Sequence, residues 1–350
     1  MLPPKNRDCR SPQKGSNAGK ITMTDTHVHP QPPVPAEAPE GMCWIPGGPF
    51  RMGSATFYSE ERPVHEVTVD GFWIDRFAVT NEQFARFVSE SGYVTLAERP
   101  PNPKDYPGAP PENLVPGSMV FQKRTGPVDL RNYANWWAWV PGADWRHPSG
   151  AGSSLEGLER HPVVHVAYED VEAYVRWAAK DLPTEAEWEC AARGGLDGAT
   201  FTWGQDEFPD GRPMVNSWQG EFPWQNLLVD GHEGTSPVGS FPANGYGLYD
   251  MAGNVWEWTS DWWEPRGSNP AVKSCCLSSV NPRLESPEKS YDPRQPQFRI
   301  PRKVVKGGSH LCAPNYCFRY RPAARQPQMI DTGMAHIGFR CVLRTRASVG

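Results

Sequence analysis

Proline and glycine occur so often along this chain that no long helix or strand fits between them. The 350 residues include 38 prolines and 33 glycines, about a fifth of the total. Because both residues interrupt helices and strands, this spacing predicts short elements joined by many loops. The chain also carries 15 tryptophans, and aromatic residues make up 11% of it, which indicates a folded domain and not a disordered chain.

The first 40 residues differ in composition from the rest. They are polar and contain a cluster of prolines between Pro30 and Pro39, which predicts a disordered, proline-rich tail over residues 1–40. Residues 41–350 show neither a repeat of fixed period nor a linker that divides them. We therefore predict one large domain over residues 41–350.

Local patterns predict three helices and at least two strands. Capping boxes at Thr80 and Thr184 each precede apolar residues at helical spacing, and residues 171–175 indicate a helix between them. Apolar residues from Val67 to Ile74 predict strands on either side of an Asp-Gly turn. Residues 98–160 are predicted to be largely irregular, and no helix is expected after the third.

Charge and hydropathy exclude two classes of partner. The formal net charge is −5, which disfavours binding to nucleic acid. No apolar run approaches the length of a membrane span, and the N-terminus lacks the apolar core of a secretion signal. We therefore expect a cytoplasmic protein whose eight cysteines are reduced thiols and not a disulfide framework.

Cys312 and Cys317 are the local sequence feature that most strongly indicates a functional site. They lie five residues apart across a turn that contains Pro314. The spacing is not that of a thioredoxin-type pair, and no second pair completes a structural zinc site. Two thiolates suit a soft, low-coordinate ion such as Cu(I), but two buried or disulfide-linked cysteines explain the spacing about equally well.

Two oxygen-rich segments could bind a hard cation. One runs from Asp250 to Glu257 around a Gly-Asn turn, and the other combines Asn216 and Ser217 with residues 230–234. Calcium takes six to eight oxygen ligands from such side chains and carbonyls. Neither segment is an EF-hand, however, and from composition alone ordinary turn chemistry is the favoured interpretation.

Two further features are discounted. A His-x-His element at His27 and His29 lies in the polar tail and not at the end of a buried strand. The adjacent Cys275 and Cys276 are interpreted as an inert surface pair. No nucleophile elbow, Walker A loop or dinucleotide-binding glycine motif is present, which argues against hydrolase and nucleotide-binding classes.

Several segments, taken together, resemble the formylglycine-generating enzyme (sulfatase-modifying factor) family, in its bacterial form. They arrive in the family's order between about residues 42 and 345. The segments are WIPGGPFRMGS (44–54), LPTEAEWE (182–189), NGYGLYD (244–250), GNVWEW (253–258), GGS (307–309) and GFR (338–340).

The resemblance implies a fold and an activity. The fold would be a single irregular α+β domain with little regular secondary structure, related to C-type lectins. The activity would be that of an aerobic oxidase, with O2 as co-substrate and Cu(I) held by Cys312 and Cys317 as the catalytic pair. The substrate would be an unfolded sulfatase polypeptide bearing Cys-x-Pro-x-Arg. Its cysteine would lose a hydrogen from Cβ, and the resulting thioaldehyde would hydrolyse to formylglycine. A monomer is expected.

The resemblance also implies roles for other residues. Ser309 matches the family's active-site serine, and Tyr316, Arg325 and Trp256 match positions at the substrate cleft. Structural calcium would bind at two places. The first would use the side chains of Asn216 and Asp230 with the carbonyls of Ser217 and His232. The second would use the side chains of Asp250 and Glu257 with the carbonyls of Gly253 and Val255.

Some positions depart from the family's pattern. Ala313 stands where eukaryotic members have a histidine directly after the first catalytic cysteine, so that histidine has no role here. His336 stands where an asparagine is common, and Asp250 stands where relatives often carry asparagine. The cysteine partners of the structural disulfides in secreted relatives are also missing, which fits a reducing compartment.

Two alternatives stay open at this point. One is an iron-dependent sulfoxide synthase relative, which would need a histidine iron site and normally an extra N-terminal helical domain. The other is a non-catalytic binding module on the same fold. The intact pair of Cys312 and Cys317 favours the formylglycine-generating interpretation over both.

Overall fold

The computed structural model describes residues 38–266 and 279–344. The predicted tail up to residue 37 and the Cys275-Cys276 pair lie outside these ranges. The helices are α1 (Asn81–Ser91), α2 (Tyr168–Trp177) and α3 (Glu185–Arg193). The strands are β1 (Met42–Ile45), β2 (Gly48–Met52), β3 (His65–Val69), β4 (Phe72–Asp75), β5 (Gly117–Phe121), β6 (Trp137–Pro141), β7 (Trp256–Trp262), β8 (Ser279–Val280), β9 (Arg302–Lys306), β10 (Arg325–Met329), β11 (Ile337–Gly338) and β12 (Val342–Arg344).

The three predicted helices are confirmed, and their ends follow local chemistry. The Thr80 hydroxyl accepts a hydrogen bond from the Gln83 amide at 3.3 Å, and the Gln83 side chain accepts one from the Thr80 amide at 2.9 Å. Thr184 and Glu187 repeat this capping box at α3. Both helices end at a glycine in the left-handed region, Gly92 with φ 68° and Gly194 with φ 57°.

The strands form small sheets instead of one large sheet. Their orders are β10-β9-β7-β11, β1-β4-β12, β2-β3-β8 and the pair β5-β6. Ile45 opposes Phe72 in β1 and β4, and Gly48 opposes Val69 in β2 and β3, so one antiparallel register runs through both pairs. The predicted Asp-Gly turn between β3 and β4 is therefore wrong, because the chain bends there without reversing.

The stretch from residue 98 to 160 is mostly irregular, as predicted, but it contains one hairpin that the sequence reading missed. Strands β5 and β6 pair in antiparallel register, with Phe121 opposite Trp137. The consecutive tryptophans Trp136 and Trp137 stand at the start of β6. This hairpin places aromatic side chains beside the C-terminal loops that carry the two cysteines.

The main hydrophobic core joins the helices to the central sheet. Phe84 and Phe87 of α1 contact Tyr174 of α2, with ring centroids 5.9 and 5.5 Å away. The same cluster of buried residues includes Trp258 of β7 and extends to both Cys312 and Cys317. The cysteine pair therefore rests on a rigid, close-packed support.

Buried ion pairs attach the long loops to this core. Glu257 of β7 and Arg340 are both essentially inaccessible and form a two-point contact, each N–O distance being 2.7 Å. Arg321 makes a similar contact with Glu61, from 260 residues away in the chain. Such pairs fix loop positions that short strands alone do not determine.

The observed elements confirm the predicted fold class. Short strands and three helices, joined by long loops, make one irregular α+β arrangement around shared buried clusters. Within the two described ranges, no helix has the length and apolar character needed to cross a membrane.

Candidate active site

The two cysteines of the Gly-rich loop lie side by side at the edge of the core. The Sγ atoms of Cys312 and Cys317 are 3.1 Å apart, and both side chains are buried. Turns hold them there, because the Cys312 amide donates to the Ser309 carbonyl and the Cys317 amide to the Ala313 carbonyl. The loop thus presents two sulfur atoms to one point in space.

The electrostatic environment of the two thiols is unequal. A hydrogen bond from Cys312 lowers the pKa of Cys317 below its usual value, and the nearby charge of Arg319 adds to this effect. Burial raises the pKa of Cys312 well above its usual value, and the hydrogen bond to Cys317 acts in the same direction. The two pKa values therefore lie apart, as in a coupled pair that loses its first proton well before its second.

A cleft of about 280 Å³ leads to the sulfur atoms. Aromatic rings form one part of its wall: the Tyr316 ring stacks on Phe222 with centroids 4.6 Å apart and meets the edge of Trp136 at 5.2 Å. The residues that line the cleft are Tyr133, Trp136, Trp137, Phe222, Trp256, Ser309, Leu311, Cys312, Tyr316, Cys317, Gln326, Gln328, Met334 and His336.

Five residues predicted from the sequence meet in this cleft. Cys312, Cys317, Ser309, Tyr316 and Trp256 all line it. The Ser309 amide points at the Cys312 sulfur at 3.4 Å, and its hydroxyl oxygen accepts a hydrogen bond from the Leu311 amide. Tyr316 is the most exposed of the five, while Trp256 is almost fully buried. Their chemical roles stay predictions.

Arg325 does not reach the cleft, contrary to its predicted role in substrate binding. It is fully buried, and its guanidinium forms an ion pair with Glu185 at 2.8 Å. Successive side chains of a strand point to opposite faces, so Gln326 and Gln328 of β10 face the cleft while Arg325 faces away. Arg325 therefore holds α3 against the central sheet.

His336 is a polar residue of the cleft wall. The Trp137 ring lies 4.7 Å from its imidazole, and burial lowers the pKa of His336 well below its usual value, which keeps the ring neutral. Its Nδ1 atom is buried without a hydrogen-bond partner. The departure from the family's asparagine thus places a neutral imidazole where the cysteine pair opens to the cleft.

Sequence reasoning missed much of the aromatic wall. Trp136, Trp137 and Phe222 belong to no motif near Cys312, since the two tryptophans stand at the start of β6 and Phe222 lies in a separate loop. The adjacent tryptophans in a segment rich in proline and glycine were the one local signal. Arg319 was also missed, although it follows Cys317 by only two residues.

The first predicted calcium cluster has a donor set that fits a cation. The Asn216 side chain is buried, and its Oδ1 atom has no hydrogen-bond donor. The Asn216 amide nitrogen donates a hydrogen bond to the Gly234 carbonyl at 2.9 Å, so the atom without a partner is the acceptor oxygen, Oδ1. The Asp230 carboxylate lies close by and receives the amides of Ser217 and His232. A bound cation would satisfy the buried oxygen.

The second predicted calcium cluster fits less well. Both oxygens of Glu257 are already taken, by Arg340 and by the indole nitrogen of Trp188 at 2.7 Å. Burial raises the pKa of Asp250 to about 6, and the Gly239 amide donates to its Oδ2 atom. Arg340 therefore supplies the positive charge that a cation would bring to Glu257. Among the described residues, no three His, Cys, Asp or Glu side chains come together as a metal site.

The chain is similar to known proteins along most of its length. Residues 29–345 match the model of the sulfatase-modifying factor enzyme 1-like domain. The chain is 55% identical to a curated formylglycine-generating enzyme of Mycobacterium tuberculosis, over 85% of this chain and 96% of the relative. It is 47% identical to the enzyme of the same name from Thermomonospora curvata, over 88% of this chain and 94% of the relative.

A solved structure supports the fold. PvdO from Pseudomonas aeruginosa superposes with a TM-score of 0.54 and 24% identity, and the match covers 86% of this chain and 93% of that chain. At this identity the likeness shows the fold alone. The family model and the curated relatives lead to one conclusion: the chain belongs to the formylglycine-generating (sulfatase-modifying factor) enzyme family.

Proposed function

We propose that this protein oxidises a cysteine of a sulfatase polypeptide to Cα-formylglycine, in a copper-dependent reaction that consumes O2. The observation that carries the proposal is the pair of buried sulfur atoms, 3.1 Å apart, at the inner end of an aromatic cleft. The curated relatives that span most of the chain are named for this activity. The chain is accordingly an enzyme of the formylglycine-generating class.

The donor set at the sulfur pair suits copper(I). Cys312 and Cys317 offer two soft sulfur ligands that are already close together, and soft ligands select Cu(I) over hard cations. Copper(I) bound there would supply the electron transfer to dioxygen that two thiols alone do not provide. Burial of both sulfurs restricts the access of other thiols and of oxidants to the site.

The cleft suits an extended peptide. Trp136, Phe222 and Tyr316 form an apolar wall on which the proline of Cys-x-Pro-x-Arg can pack, and they exclude water from the reacting cysteine. Ser309 accepts a hydrogen bond from the Leu311 amide, which leaves its own hydroxyl proton to donate into the cleft.

The iron-dependent alternative has less support. His336 is the one histidine among the residues that line the cleft, and its neutral ring stands beside Trp137. A facial iron site needs two histidines and a carboxylate with open positions. No such group of side chains occurs in the described part of the chain.

The test of the function is aldehyde formation on a synthetic Cys-x-Pro-x-Arg peptide. The Cu(I)-loaded protein, with a reductant and air, should convert the cysteine to an aldehyde that a hydrazide reagent traps for mass spectrometry. A peptide with serine in place of cysteine is the control, and an anaerobic sample tests the need for O2. No aldehyde from folded protein with copper bound would overturn the proposal, and equal aldehyde formation with iron and a copper chelator would overturn its copper dependence.

We expect calcium to stabilise the fold through the Asn216–Asp230 cluster. The cluster is assembled only in the folded protein, so mass action alone should make calcium at 100 times its dissociation constant add about 2.7 kcal/mol to the free energy of unfolding. Thermal unfolding with calcium or with a chelator measures this. Asp230→Asn should remove most of the shift, whereas Asp250→Asn at the second cluster should retain it. An undiminished shift in Asp230→Asn would contradict the assignment.

A further inference from the structure

Arg319 is a charged side chain that contacts the sulfur pair. Its Nη1 atom lies 3.8 Å from the Sγ atom of Cys317, within hydrogen-bonding range of a sulfur acceptor. The Arg319 amide donates to the Cys317 carbonyl at 2.9 Å, so the chain turns back and brings the guanidinium over the thiol. The side chain is only about 20% exposed.

A short segment from the N-terminal part of the domain holds this guanidinium in place. The Glu60 carboxylate accepts a hydrogen bond from Nη2 of Arg319 at 2.7 Å. The Tyr58 ring lies flat against the guanidinium, 3.8 Å from it, and the Tyr58 hydroxyl accepts a hydrogen bond from the Phe318 amide. One nitrogen of Arg319 is thus anchored to Glu60 while the other is directed at Cys317.

The same segment is itself firmly fixed. Glu61, which follows Glu60, is inaccessible and forms a two-point ion pair with the buried Arg321. The Phe57 ring packs against Phe318 with centroids 5.5 Å apart. Arg319 therefore stands between two rigid parts of the molecule, and its position relative to Cys317 does not depend on a flexible surface loop.

The negative charge of the metal-loaded cysteine pair explains why the contact from Arg319 matters. Two thiolates around one monovalent cation carry a net charge of −1, and both sulfur atoms are buried. An uncompensated charge is costly in such surroundings. The Ser309 amide donates a hydrogen bond to the Cys312 sulfur, and the permanently charged Arg319 guanidinium donates one to the Cys317 sulfur. Each sulfur therefore has one donor outside the pair.

We propose that Arg319 is a positioning residue that holds the Cys317 sulfur beside Cys312 and balances the negative charge of the metal-loaded pair. It thereby sets how tightly the pair holds a soft monovalent ion. This inference rests on the proposed copper site. Loss of an outer contact of this kind lowers metal affinity by about 10- to 100-fold.

The test is a competition titration of Cu(I) between the protein and a chromophoric chelator. Arg319→Gln should bind Cu(I) about 10- to 100-fold more weakly than the wild type. Arg319→Lys should fall between the two, because lysine keeps the charge but cannot contact Glu60 and Cys317 together. Arg344→Gln is the matched control, since the Arg344 side chain is similarly buried and pairs with Glu187 and Asp181, whereas Arg319 contacts Cys317.

The outcomes separate this inference from the proposed function. A wild type that does not bind Cu(I) overturns the copper site itself. A wild type that binds, with Arg319→Gln of equal affinity or with Arg344→Gln equally weakened, overturns the role of Arg319. Thermal unfolding checks that each variant is folded. If Arg319→Gln does not fold, Arg319→Lys decides: affinity equal to that of the wild type overturns the inference, and a several-fold loss supports it.

Discussion

Replacing Cys317 by serine is expected to reduce aldehyde formation on the Cys-x-Pro-x-Arg peptide by more than about 1,000-fold. The hydroxyl of serine is not ionised near neutral pH and is a poor ligand for a soft ion, so the pair would lose one of its two donors. Cys312→Ser should have a comparable effect. Since the two sulfurs lie 3.1 Å apart and act as one unit, the double variant should be little worse than either single variant.

The initial rate of hydrazide-trapped aldehyde measures this effect. Cys43→Ser is the matched control, because Cys43 is also a free thiol but does not line the cleft. It should keep the wild-type rate. A variant with serine at either Cys312 or Cys317 that retains a tenth of the activity would show that the pair is not the reacting centre.

Replacing Arg340 by methionine is expected to lower the free energy of unfolding by about 3–5 kcal/mol. Arg340 and Glu257 are both buried, and the variant leaves the Glu257 carboxylate with the Trp188 indole as its one remaining side-chain donor. Arg340 also donates to the Tyr249 carbonyl at 2.9 Å, and that contact is lost as well. Urea unfolding of the wild type and the variant measures the difference.

A double variant separates the buried charge from the lost packing. Glu257→Gln combined with Arg340→Met removes both charges and keeps an acceptor for Trp188, so it should be more stable than Arg340→Met alone. Arg86→Ala is the surface control, since its ion pair with Glu90 is largely exposed and should contribute less than about 1 kcal/mol. An Arg340→Met variant no less stable than Arg86→Ala would contradict the assigned role.

The fold could be predicted from the sequence where the signals are local. The capping boxes at Thr80 and Thr184 join residues three positions apart, and α1 and α3 begin at them. The chain bend between β3 and β4 was mistaken for a reversal, because its direction depends on pairing with β1 and β2. The hairpin of β5 and β6 was missed because β6 shows no alternation of buried and exposed residues and because its register depends on pairing across residues 122–136.

In the candidate site, too, the sequence predicted what depends on local signals and missed what depends on tertiary packing. Cys312 and Cys317 could be paired from the sequence because a single turn brings residues five positions apart together, and the family resemblance marked Ser309, Tyr316 and Trp256. The sequence did not predict on which face of β10 Arg325 lies, because that depends on which side of the sheet packs against α3.

By itself, therefore, the sequence determined the family, the starts of α1 and α3 and the pairing of two cysteines, because each depends on residue types at short, regular spacing. Only the tertiary structure decided what surrounds those cysteines. Trp136 and Phe222 reach the cleft from separate loops, and Glu60 meets Arg319 across 259 positions of the chain. Such contacts arise from the packing of the whole core, so no local pattern encodes them.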